Sequence, residues 1–129
     1  MEKYFCIGII FCFLIGCSNP AQPENIKTQQ FTVGTNDYVQ STAGHFTATL
    51  NCSLITNEIL KFGSVSVKYQ PYNQTYWIPF QWSYTQNNYF YSWNYYYAAG
   101  QVYLIFLTSN PNEKFPPDGY FQVTIFSRD

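Results

Sequence analysis

In "GHFTATLNCS" the apolar residues Phe46, Ala48, Leu50 and Cys52 occupy every second position, with His45, Thr47, Thr49 and Asn51 between them. Successive side chains of a strand point to opposite faces, so this spacing suits a sheet with one buried face and fits no helix. The pattern returns along the chain. Val65, Val67 and Tyr69 alternate with Ser64, Ser66 and Lys68. Ile78, Phe80, Trp82 and Tyr84 alternate with Trp77, Pro79, Gln81 and Ser83, and Phe121, Val123 and Ile125 with Gln122 and Thr124. "QVYLIFLT" is apolar on both faces, as a central strand is, while Pro79 removes a ladder donor and marks an edge or a bulge. With "QFTV" near residue 31 and "NYFYSWNYYY" over 88–97, about seven short strands are predicted.

One short helix interrupts them. In "SLITNEILKFG", Thr56 is placed to cap, Glu58 sits in the first turn where the helix dipole favours an anion, and Gly63 is placed as a left-handed stop. Ile55 and Leu60 stand at the two positions of a hydrophobic staple. The stretches "TQNN" at 85–88 and "PPDG" at 116–119 read as turns. Short strands, short turns and no alternation of strands with helices point to an all-β fold, a single antiparallel β-sandwich with one helix near residues 56–62.

The first residues have another purpose. "MEKYFCIGIIFCFLIGC" carries Lys3 and then thirteen uncharged, mostly apolar residues from Tyr4 to Gly16. As a helix that run covers about 20 Å, short of the roughly 30 Å of a bilayer core, so it fits a secretory signal and not a span. Leu14, Ile15, Gly16 and Cys17 resemble a bacterial lipobox. The resemblance implies cleavage after Gly16, a diacylglyceryl group on the Cys17 sulfur and an acyl chain such as palmitate on the new amine. Residues 1–16 are then signal peptide, residues 17–28, with Pro20 and Pro23, a tether, and residues 29–129 the folded domain. Cys6 and Cys12 leave with the signal and Cys17 is blocked, so Cys52 is a lone thiol and the core must hold without a disulfide.

The span from "SLITNEILKFGSVSVKYQPYNQTYWIPFQWSY" through "GQVYLIFLTSN" to "PPDGYFQVTIF" is similar to the small lipoproteins common in Bacteroidota, a family with no established activity. That resemblance implies an exported protein held by lipid on the cell envelope, at the outer membrane, and supplies no substrate.

The residues themselves offer little chemistry. His45 and Cys52 fall on opposite faces of one strand, and the carboxylates are scattered, with no pair close enough in sequence for glycoside hydrolysis. Zinc-ligand spacing and phosphate-cradling glycine loops are missing, so no catalytic residue, metal or cofactor is assigned and the chain is read as a non-enzyme. Five cations against six anions in the chain from Cys17 onward leave no basic surface for nucleic acid.

Aromatic residues stand out. Fourteen of the 29 residues from Tyr69 to Tyr97 are Phe, Tyr or Trp, interleaved with Asn and Gln. Flat rings beside amides suit a sugar or a protein partner, and the same rings fill cores. Alternation sends Tyr89, Tyr91, Trp93, Tyr95 and Tyr97 inward and leaves Phe90 and Tyr96 opposite. Trp77 lies opposite Ile78, Phe80 and Trp82, and Tyr72 falls in a polar turn, so Tyr72, Trp77 and Tyr96 are the candidate binding surface. A structural or assembly component of the envelope, with no soluble ligand, is the alternative reading.

Overall fold

The computed structural model describes residues 24–128. The expected signal peptide, the expected lipid site Cys17 and the expected tether as far as residue 23 lie outside the described residues. Along the chain run β1 (Glu24–Val33), β2 (Val39–Thr42), β3 (His45–Asn51), α1 (Asn57–Phe62), β4 (Ser64–Pro71), β5 (Ile78–Pro79), β6 (Trp82–Gln86), β7 (Tyr89–Ala98), β8 (Gln101–Thr108) and β9 (Gly119–Arg128). They form two antiparallel sheets, one of four strands in the order β1-β9-β4-β5 and one of five in the order β2-β3-β8-β7-β6, packed as a sandwich.

The inward rows follow the alternation. Phe46, Ala48 and Leu50 of β3, Val102, Leu104 and Phe106 of β8, Val65, Val67 and Tyr69 of β4, and Phe121, Val123 and Ile125 of β9 are all buried. β8 lies in the middle of its sheet, and β5, with Pro79, lies at the edge of the other. Rings fill the gap between the layers. Phe80 stacks on Trp93 at 5.9 Å and meets Phe121 edge-on at 4.9 Å, and Tyr69 packs on Phe121 at 4.9 Å.

The strand layout departs from the sequence pattern in four places. β1 starts at Glu24, where its pairing with Arg128 begins, so the strand takes in residues 24–28 that read as tether. "WIPFQWSY" is two strands, not one. β5 pairs with β4 in the four-stranded sheet and β6 with β7 in the five-stranded sheet, and the chain crosses between layers at Phe80, which is fully buried. Trp82 therefore does not join the core. It sits on the outermost strand, beyond the cover of the smaller sheet, and is exposed. β2, the other strand beyond the seven expected, is polar and wholly exposed, and its pairing with β3 is a backbone ladder without a buried face.

The helix cap is as expected and its stop is not. Thr56 Oγ1 accepts a hydrogen bond from the Ile59 N–H at 3.3 Å. Gly63 is extended (φ −115°, ψ −164°) and donates to the Ile59 carbonyl. Glycine is needed there because a Cβ would lie 2.4 Å from the Phe126 carbonyl oxygen, where α1 packs down on β9. The staple is one-sided, Ile55 being buried while Leu60 is exposed.

"TQNN" is a tight hairpin turn, with Asn87 and Asn88 at φ 54° and 68°. "PPDG" is no turn. It is an extended run that buries Pro116 and Pro117, and its carbonyls take two phenols: Tyr38 donates to Pro117 O at 2.8 Å and Tyr69 to Asp118 O at 2.7 Å.

Candidate binding surface

The inward row of β7 sends the next residues out. Phe90, Ser92, Asn94 and Tyr96 project from the five-stranded sheet away from the core, beside Ser83 and Thr85 of β6 and Tyr103, Ile105 and Leu107 of β8. Phe90 is 49% exposed, Tyr96 53% and Leu107 39%. Tyr96 stands opposite Tyr103 in the ladder, and their rings stack at 4.6 Å and 24°. The Tyr103 hydroxyl donates to the Gln101 side-chain oxygen.

Between Phe90 and Tyr96 the side chains are small and polar. A shallow depression of about 280 Å³ is lined by Gln81, Trp82, Ser83, Ser92, Trp93 and Asn94. Asn94 Oδ1 accepts from the Tyr95 N–H at 2.8 Å and from Gln81 Nε2 at 3.4 Å, which leaves the Asn94 amide nitrogen as a donor with no partner among the described residues. At about 3.3 Å per residue, the six steps from Phe90 to Tyr96 span roughly 20 Å, the length of a short oligomer and not of a single small molecule.

Charge is absent from this sheet. No Asp, Glu, Lys or Arg occurs from Tyr38 to Asn57 or from Tyr69 to Asn112, so none stands on β2, β3, β6, β7 or β8. Charged side chains of the described residues belong instead to the four-stranded sheet, α1 and the loops, as Lys27, Asp37, Glu58, Lys61, Lys68, Glu113, Lys114 and Asp118. What the outer face offers is hydroxyls and amides, groups that both donate and accept, together with rings and, on β8, the side chains of Ile105 and Leu107.

The other two candidates lie elsewhere. Tyr72 is exposed at the end of the four-stranded sheet, where its hydroxyl donates to Val33 O at 3.1 Å and its ring meets Tyr120 edge-on at 5.3 Å. Burial and the nearby Asp118 carboxylate push its phenol above its ordinary value. Those contacts tie it to the fold. Trp77 is half-buried in the segment leading to β5. Tyr96 alone of the three belongs to the outer face, and its stacking partner Tyr103 escapes the sequence pattern because β8 reads as apolar on both sides.

His45 and Cys52 are far from acting together. His45 is half-buried on the outer side of β3, while Cys52 is fully buried with its thiol 3.6 Å from Gln29 Oε1, and burial pushes that thiol up. Among the described residues no group of three or more His, Cys, Asp or Glu could hold a metal, and no helix is long and apolar enough to cross a membrane. No family model matches the chain, and no match is found among curated proteins or solved structures.

Proposed function

We propose that the chain is an exported lipoprotein of the bacterial envelope, anchored by lipid on Cys17, that works without catalysis by binding a neutral glycan on the outer face of its five-stranded sheet. One observation carries the binding reading: along β7 a polar, uncharged depression lies between two exposed aromatic groups, Phe90 at one end and the Tyr96–Tyr103 stack at the other. Protein interfaces are arranged the other way, with an apolar centre and a polar rim. A polysaccharide presents hydroxyls that match serine and amide groups, and C–H faces that match rings. A neutral one has nothing to gain from charge, and this sheet has none. The anchor reading is supported by the short apolar run that ends in "LIGC" and the proline-containing stretch after it.

The test takes the full chain in detergent against neutral β-glucan and α-mannan and anionic polygalacturonate, by affinity electrophoresis and calorimetry. Binding to a neutral polymer is expected, unchanged between low and high salt, and weakened about tenfold or more by Tyr96→Ala, since desolvating one ring is worth about 1.5 to 3 kcal/mol. Preference for polygalacturonate, or full affinity in Tyr96→Ala, would overturn the reading. Capture of an envelope protein by wild type but not by Tyr96→Ala would make the partner a protein. For the anchor, membrane-fraction protein should begin at residue 17 with acyl mass, and Cys17→Ala should accumulate as uncleaved precursor.

A further inference from the structure

The sandwich has a second uncovered apolar region, and it lies at the end where the chain enters the domain. Ile26 and Ser64 flank Phe126 on either side of β9, so the start of β1 and the segment joining α1 to β4 lie at the same end of the sheet, one strand apart. Here Ile26 is 59% exposed, Leu60 41% and Phe62 74%. Phe62 and Lys27 line one pocket of about 310 Å³ together with Leu54, Ile59 and Ile125. Three large apolar side chains left in water at one end of so small a domain call for a partner.

We infer that this end rests on the bilayer that holds the Cys17 lipid, with Phe62 as its deepest side chain. The inference rests on the anchor proposed above and goes beyond it, because an anchor on a tether does not require the domain to touch the membrane. Chain length makes the contact available. Six residues separate Cys17 from Glu24, and the seven steps between them reach at most about 25 Å when fully extended. A short flexible tether holds a surface near its target at an effective concentration in the millimolar range, so even a weak apolar contact is substantially occupied. The charges suit a headgroup region. Lys27 and Lys61 are exposed beside the apolar residues, and their long stems can lie along apolar surface with the ammonium groups in water. Glu58, on the same helix as Lys61, cancels one of the two charges, so apolar insertion carries more of the contact than attraction to anionic lipid. The exposed rings of Phe90 and Tyr96 are on the outer face of the other sheet and take no part.

The experiment places Trp at position 62 in the full acylated chain, reconstituted in phosphatidylcholine vesicles doped with lipid carrying a nitroxide quencher near the headgroup. Wild type supplies the background from Trp77, Trp82 and Trp93, and Thr85→Trp, on the distant β6 edge, serves as control. At least twofold quenching is expected for Phe62→Trp and none for Thr85→Trp, with the same result when part of the lipid is phosphatidylglycerol. Equal quenching at both positions, or none at position 62 in protein whose acyl mass is confirmed, would overturn the inference and leave the anchor standing. Absence of acyl mass would overturn both. A dimer in detergent that Phe62→Ser converts to monomer would assign the patch to a second copy of the chain.

Discussion

Tyr38→Phe removes one oxygen from the core and should be felt twice, in stability at neutral pH and in its alkaline limit. The Tyr38 hydroxyl is buried and donates to Pro117 O at 2.8 Å, so the variant loses that bond and leaves the Pro117 carbonyl desolvated without a donor. Such a loss costs about 1 to 3 kcal/mol, or a fall in Tm of roughly 5 to 15 °C for a domain of this size. Burial, reinforced by the neighbouring Tyr69 and by the Asp118 and Asp37 carboxylates, pushes the Tyr38 phenol far above its ordinary value. In the unfolded chain it ionises near pH 10. A group whose folded pKa is raised gives stability that is complete below the unfolded pKa and is lost as pH climbs toward the folded one. Each pH unit above about 10 therefore takes roughly 1.4 kcal/mol from wild type through Tyr38 alone, and nothing from the variant, whose ring at that position has no proton to lose. Urea unfolding followed by circular dichroism at pH 8, 10 and 11 should show wild type well ahead at pH 8 and the gap narrowing by about that amount at pH 11. Lysines and the other tyrosines act in both proteins and cancel in the difference. Two parallel stability curves, or no loss at pH 8, would refute the buried-donor argument.

Substitutions at two further positions probe the backbone. Gly119→Ala puts a Cβ 2.3 Å from the Gln70 carbonyl oxygen at a φ of 149°, so β9 must shift against β4 and thermal unfolding should register a loss of about 1 to 3 kcal/mol or more. Asn88 holds φ 68° in the two-residue turn between β6 and β7, so Asn88→Gly should raise stability slightly and Asn88→Ala lower it by about 1 kcal/mol, a difference in sign that urea midpoints can read.

Alternation is a good guide wherever one face of a strand is buried and the strand stays in one sheet. β3, β4, β7 and β9 keep the predicted faces, although Tyr97 at the end of β7 is exposed, and Phe90 and Tyr96 point outward because their neighbours point in. It is silent where the chain changes layers. Nothing in the spacing of Ile78, Phe80, Trp82 and Tyr84 marks Phe80 as the crossing point, so the pattern places Trp82 in a core that it overhangs. Edge strands hide for a related reason. β2 has no buried face, and the first residues of β1 read as a polar tether, since what fixes them is a backbone ladder that any side chain tolerates. Gly63 and Gly119 are required by close approach to another strand, information that a local pattern does not hold. The candidate binding surface is half legible. Tyr96 follows from parity, but the depression beside it comes from pairing Ser83 with Ser92 across the ladder, a register that depends on the Asn87–Asn88 turn.

The two surfaces assigned to the molecule do not compete for space. The Gly100 N–H donates to Ile55 O at 2.7 Å and the Cys52 N–H to Gly100 O at 2.8 Å, so the β7–β8 turn and the start of α1 lie at the same end of the sandwich, together with Glu24. With that end against a bilayer, the strands of the five-stranded sheet rise away from it and their outer face stands to the side, open along its length. The Tyr96–Tyr103 stack is then the part of the face nearest the membrane, and Phe90, roughly 20 Å further along β7, the part nearest the surroundings. A polymer lying along β7 would reach Phe90 first and be held at Tyr96 last. Lengthening the tether should thus leave affinity for soluble oligosaccharides unchanged in detergent, because every contact proposed to bind them belongs to the sheet and none to the anchor.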